Sequence, residues 1–154
     1  MKVKNLQKKK GFVILFAVTI SAILLAIALG VANIAVKEVK FTTNARDTND
    51  AFFAADTGAE CALFNDKFTV NSFPQSGGPT SIQCAGLTIN FTTGLPSWNF
   101  IISGLGSGQS CAKVNIVKTF SPNTTNIISK GYNDGGALCV QGSNSVERQI
   151  EVNY

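Results

Sequence analysis

The sequence contains no histidine. That removes the most frequent general base, the most frequent metal ligand and the base of most nucleophilic triads. Its four cysteines, Cys61, Cys84, Cys111 and Cys139, form no C-x-x-C pair, so none has the ligand spacing of a zinc site. Asp47, Asp50 and Asp56 do not have the spacing of a calcium loop. The glycine-rich stretch Gly104 to Gly108 leads into neither a helix nor a lysine, so it reads as a turn and not as a phosphate loop. Proline is absent before Pro74, and charged residues make up only 14% of the chain. These absences exclude most enzyme classes. We expect no catalytic residue, no metal and no cofactor.

What is present is strongly uneven. Phe12 to Val36 is 25 residues without a charge, preceded by Lys2, Lys4, Lys8, Lys9 and Lys10. A spanning helix needs about 20 apolar residues, and this run is long enough with some tilt. The lysines before it keep residues 1–11 on the cytoplasmic side by the positive-inside rule, so the C-terminal part is exported. Outside this flank, eight basic residues face nine acidic ones. The basic pI therefore points to a membrane, and nucleic acid is not expected as a partner. A secretory signal has a shorter apolar core with small residues after it. Here the small residue, Gly11, comes before the run.

Past Val36 the helical pattern continues. Phe41, Ala45, Thr48, Phe52, Ala55, Ala59, Ala62 and Leu63 step by three and four, with one adjacent pair at the end, and predict one apolar face. The expected helix runs from Phe12 to Phe64, apolar all round in residues 12–36 and amphipathic in residues 37–64. Residues 65–154 read as β. The runs Leu87 to Thr93, Trp98 to Ser103, Ala112 to Phe120, Asn126 to Tyr132 and Val146 to Tyr154 are separated by turn clusters. Short links favour an antiparallel sheet. In the last run Val146, Arg148, Ile150, Val152 and Tyr154 share one face, with Arg148 the exception on an apolar side. The expected fold is α+β, with the second half of the helix packed on a small antiparallel sheet. Trp98, Phe91 and Phe100 are expected in the core. Lys67, Lys113, Lys118, Lys130 and Arg148 are the basic residues available for an exposed surface of that part.

The stretch Lys8-Lys9-Lys10-Gly11-Phe12 before an apolar helix resembles the leader of type IV pilins and of the pseudopilins of type II secretion. Ala51-Phe52-Phe53-Ala54-Ala55-Asp56-Thr57-Gly58-Ala59-Glu60 resembles the helix signature of one class of minor pilins and their secretion counterparts, with Asp56 in place of the usual glutamate. Ile128-Ser129-Lys130-Gly131-Tyr132 and Arg148 to Val152 resemble strands common in those proteins. The resemblance covers the first 64 residues well and the rest loosely. It implies cleavage by a prepilin peptidase between Gly11 and Phe12, N-methylation of Phe12, and packing with other pilin subunits through the N-terminal helix. It also implies residence in the inner membrane lipid before assembly, then in a cell-surface pilus. Major pilins carry a glutamate five residues into the mature chain; Phe16 stands there. That departure favours a minor, tip or initiating subunit. A type II secretion pseudopilin and an anchored adhesin or DNA-uptake pilin stay open as alternatives.

An even number of widely spaced cysteines beyond a membrane segment suggests two disulfides in an oxidising compartment. Three pairings are open. A hairpin over Ala112 to Tyr132, turning near Pro122, puts Cys111 opposite residues just past Tyr132 and so within reach of Cys139. That leaves Cys61 for Cys84.

Overall fold

The structure is a computed structural model; it describes residues 11–68 and 71–154. The chain falls into two compact units, one up to Thr43 and one from Asn44. A single helical element, α1 (Gly11–Lys67), contributes to both. In the first unit it is the only described element, and every side chain from Phe12 to Thr43 is exposed.

The second unit is α+β, with the last turns of α1 on antiparallel strands. The strands are β1 (Ser81–Cys84), β2 (Leu87–Asn90), β3 (Thr92–Gly94), β4 (Ser97–Leu105), β5 (Ser110–Phe120), β6 (Asn123–Tyr132) and β7 (Glu147–Asn153). They form two sheets: the pair β1-β2, and a five-stranded sheet in the order β3-β4-β5-β6-β7. Within each sheet, strands consecutive in the chain are antiparallel neighbours.

One expected strand, Leu87 to Thr93, is therefore two. β2 pairs with β1 and β3 with β4. The break falls at Phe91, whose ring is buried against Phe73, centroids 5.6 Å apart. Phe73 in turn packs on Trp98 at 5.8 Å. The stretch before Leu87, where no strand was expected, thus supplies a core anchor in Phe73 and the strand β1. Trp98, Phe91 and Phe100 all lie in the core.

The helix-facing side of the large sheet is graded in size. The register aligns Trp98, Ile116, Ile127 and Val152 in one row. The next row is Phe100, Val114, Ser129 and Ile150, and the next is Ile102, Ala112, Gly131 and Arg148. Side chains on β5 and β6 shrink from isoleucine to alanine and glycine along this series. The floor of the sheet is lowest where Ala112 and Gly131 pair, and there the helix comes closest.

Between β4 and β5 the register shifts at Ser103/Leu105. Gly104 supplies the bulge with φ +77°, a conformation an L side chain rarely adopts. β5 and β6 pair from Cys111↔Tyr132 to Phe120↔Asn123, leaving Ser121 and Pro122 as the turn.

Candidate functional site

The first candidate region is the start of α1. Gly11 and Phe12 are helical; Lys8, Lys9 and Lys10, on which the leader reading also rests, lie outside the described residues. From Phe12 the helix is long and apolar enough to cross a membrane, by length and composition. Its few hydroxyls are internally satisfied. Thr19 Oγ1 donates to the Phe16 carbonyl at 2.9 Å and Ser21 Oγ to that of Ala17 at 2.8 Å. A lipid or protein surround would leave no hydroxyl of these two residues without a partner.

The second region is the helix motif Ala51 to Glu60. Ala51, Ala54, Ala55, Gly58 and Ala59 are buried, while Asp56 is half-buried and Glu60 exposed. Phe52 and Phe53, the two largest side chains of the motif, are 47% and 63% exposed. This corrects the expected stripe through Phe41 and Phe52. Ala55, Ala59 and Ala62 of that stripe are buried as expected, and Ala51, Ala54 and Gly58 join them in place of Phe41 and Phe52.

The reason lies in the sheet beneath. A methyl group placed on Gly131 would collide with the Ala51 carbonyl oxygen and the Ala55 nitrogen, and would lie 3.0 Å from Ala55 Cα. A methyl on Gly58 would collide with Ser129 Oγ and lie 2.8 Å from Val114 Cγ2. The helix backbone rests directly on β6 and β5, and only alanine and glycine fit between. The two motifs, Ala51 to Glu60 and Ser129-Lys130-Gly131, are the two sides of one contact. Arg148, at the end of the lowest row, donates from Nη2 to Thr48 Oγ1 at 3.4 Å. That contact accounts for an arginine on the helix-facing side.

Two disulfides brace this unit. Cys61 is joined to Cys84 and Cys111 to Cys139, with Cα–Cα separations of 5.6 Å in both. The first ties the end of α1 to β1. The second joins the start of β5 to the loop after β6. Gly135 packs so closely on Cys111 that a methyl there would strike its sulfur.

A third group was not singled out from the sequence. Lys118 Nζ is ion-paired with Asp66 Oδ1 and donates to Asn71 Oδ1 at 3.2 Å. Tyr154 donates its hydroxyl to the other Asp66 oxygen at 2.6 Å. Lys67 Nζ sits 3.9 Å from the centre of the Tyr154 ring. Burial, then the Asp66 hydrogen bond, pushes the Tyr154 hydroxyl pKa up. Lys118 is 7% exposed, which corrects its expected place on an open surface. The signal was in the sequence: Val114, Ile116 and Lys118 alternate on the inward face of β5, and a lysine there needs an acid. Lys130 is also engaged, 3.0 Å from Glu147 Oε1. A hydrogen bond from Tyr132, then one from Lys130, holds the Glu147 carboxyl below its usual range. Burial, then Glu147, raises the Tyr132 hydroxyl to about 12.

The chain matches no family model, no characterised protein and no solved structure. Among the described residues no group of three or more histidine, cysteine or acidic side chains could hold a metal ion. The arrangement itself has two parts. It is an apolar helical segment with every side chain outward, and a braced sheet unit closed by small residues.

Proposed function

We propose that this chain is a structural, non-catalytic subunit of a type IV pilus-like fibre. It would be cut between Gly11 and Phe12 by a prepilin peptidase and N-methylated on Phe12. The observation that carries the reading is the pairing of an outward-facing apolar run from Phe12 with the close contact between Ala51 to Glu60 and Ser129 to Gly131. An apolar helix without a partner in its own unit must be covered by something else. Lipid covers it before assembly, and the same segments of other subunits cover it in the fibre core. Transfer between the two never exposes it to water. The sheet unit, cross-linked by two disulfides, is the part carried outside the membrane.

Phe16, where major pilins have glutamate, favours a minor subunit at the tip or start of the fibre. The type II secretion pseudopilus is the second fibre that these features fit. An adhesive or DNA-binding tip draws less support, because Lys118 and Lys130 are already paired.

The test is to shear surface fibres from cells and probe them for this chain. The chain is expected in the fibre fraction at low stoichiometry. A chain confined to the membrane, with no fibre carrying it, contradicts the proposal.

A further inference from the structure

The polar group beside the end of α1 brings together an amine, a carboxamide and a carboxylate. Lys118 comes from β5, Asn71 from the segment after α1, and Asp66 from the last turn of the helix. We propose that Lys118 and Asn71 become joined by an intramolecular isopeptide bond, with Asp66 as the proton carrier. This goes beyond the fibre reading and does not depend on it.

Several features favour the bond over a lasting ion pair. Lys118 stands in an inward row with Val114 and Ile116, and the side chains of Lys118 and Asp66 are only 8% and 5% exposed. A buried ion pair loses most of its Coulombic gain to desolvation, whereas an amide in the same place carries no charge on the lysine. The geometry is already near that of attack. Lys118 Nζ is 3.2 Å from Asn71 Oδ1, and the amide carbon lies one C=O bond, about 1.2 Å, from that oxygen. Small side-chain rotations bring nitrogen to carbon, and a pair held this way reacts as if at very high concentration. Tyr154 occupies the second Asp66 oxygen, so the first stays turned to Lys118. Asn71 itself is exposed, which gives the leaving group a way out.

The step balances without a co-reactant. Asp66 takes one proton from the Lys118 ammonium. The freed amine attacks Asn71 Cγ, forming the Nζ–Cγ bond and placing the electron pair of the carbonyl on Oδ1. When the carbonyl re-forms, the Cγ–Nδ2 bond breaks. The departing nitrogen collects the proton held by Asp66 and, with the second proton shed by Nζ, leaves as ammonium. An ammonium and a carboxamide have become a secondary amide and an ammonium, with no change of oxidation state. The product would tie together residues 47 positions apart in the chain.

Peptide mass spectrometry of the full-length protein, reduced and digested with trypsin, tests this. The expected product is one branched peptide. Residues 68–113 would be joined through Asn71 to residues 114–130 uncut at Lys118, lighter than the two together by one ammonia. Linear peptides cleaved at Lys118 would overturn the proposal. A branch from Lys118 to residues 47–67, lighter by one water, would overturn it in favour of Asp66 as the acceptor. Asn71→Ala changes an exposed residue and should fold with both disulfides but give only linear peptides. Asp66→Ala should abolish the branch; a full yield of branched peptide there would remove Asp66 from the mechanism.

Discussion

The two stretches of α1 meet the same demand, covering a helix, in opposite ways. From Phe12 to Val36 the large side chains, Leu, Ile, Val and Phe, face outward on every side. From Ala51 to Ala62 the large side chains again face outward, but the face turned inward is alanine and glycine. A large apolar side chain suits a partner that can adapt its shape, such as lipid tails or another helix. A small one suits a rigid sheet whose floor is already set by Val114, Ser129 and Gly131. Size, not hydrophobicity, separates the stretch left exposed from the stretch that packs on its own sheet.

The comparison can be broken from either side. The largest effect is expected from a charge in the first stretch. Leu24→Asp adds roughly 3 kcal/mol at the centre of a membrane span. It should remove the chain from fibres while leaving the melting of the sheet unit unchanged by circular dichroism. Next comes bulk in the second stretch. Gly131→Val drives side-chain atoms into the backbone of Ala51 and Ala55, and should cost about 3 kcal/mol in denaturant unfolding. An equal stability for this variant would mean that the helix does not rest on β6.

Removing the Cys111–Cys139 bridge by paired serines should lower stability by about 2–4 kcal/mol, because it frees a long loop in the unfolded chain. Phe52→Ala sharpens the contrast with Gly131→Val. Phe52 is exposed, so its loss should change unfolding by about 0.5 kcal/mol or less. A core role for Phe52 would give several times that.

The smallest effect is electrostatic. The Glu147 carboxyl is lowered from 4.5, so its contribution is present above that value and is lost as pH falls through the folded one. Tyr132 is raised from 10.0 to about 12, so its contribution is full below 10.0 and is lost as pH rises through about 12. Glu147→Gln should flatten the acid limb by under about 1 kcal/mol, as befits the partly exposed Lys130–Glu147 pair, and leave most of the alkaline limb, which burial of Tyr132 sets first.

The helix, the β-rich remainder and the antiparallel order were legible from periodicity and turn residues, and the hairpin over β5 and β6 placed Cys139 near Cys111. Of the buried helix face, Ala55, Ala59 and Ala62 were legible too, but Ala51 in place of Phe52 was not. Reading by hydrophobicity gives Phe52 more weight than Ala51, yet Gly131 and Ala112 leave room only for the smaller residue. That constraint comes from strands distant in the sequence and has no local trace. β1 was missed because Ser81-Ile82-Gln83-Cys84 is a short run with few apolar residues, held by its pairing with β2 and the Cys61 bridge. Lys118 was read as a surface lysine although the alternation in β5 turns it inward. Its acid partner, Asp66, lies on a different element, and only the fold brings the two together.

The account stands on Phe12 being the true start of the working chain. N-terminal peptide mass spectrometry of the mature protein tests that directly. The expected result is a first residue of N-methylated Phe12, with nothing retained from residues 1–11. A chain that still begins at Met1, or one cut beyond Val36, would contradict it.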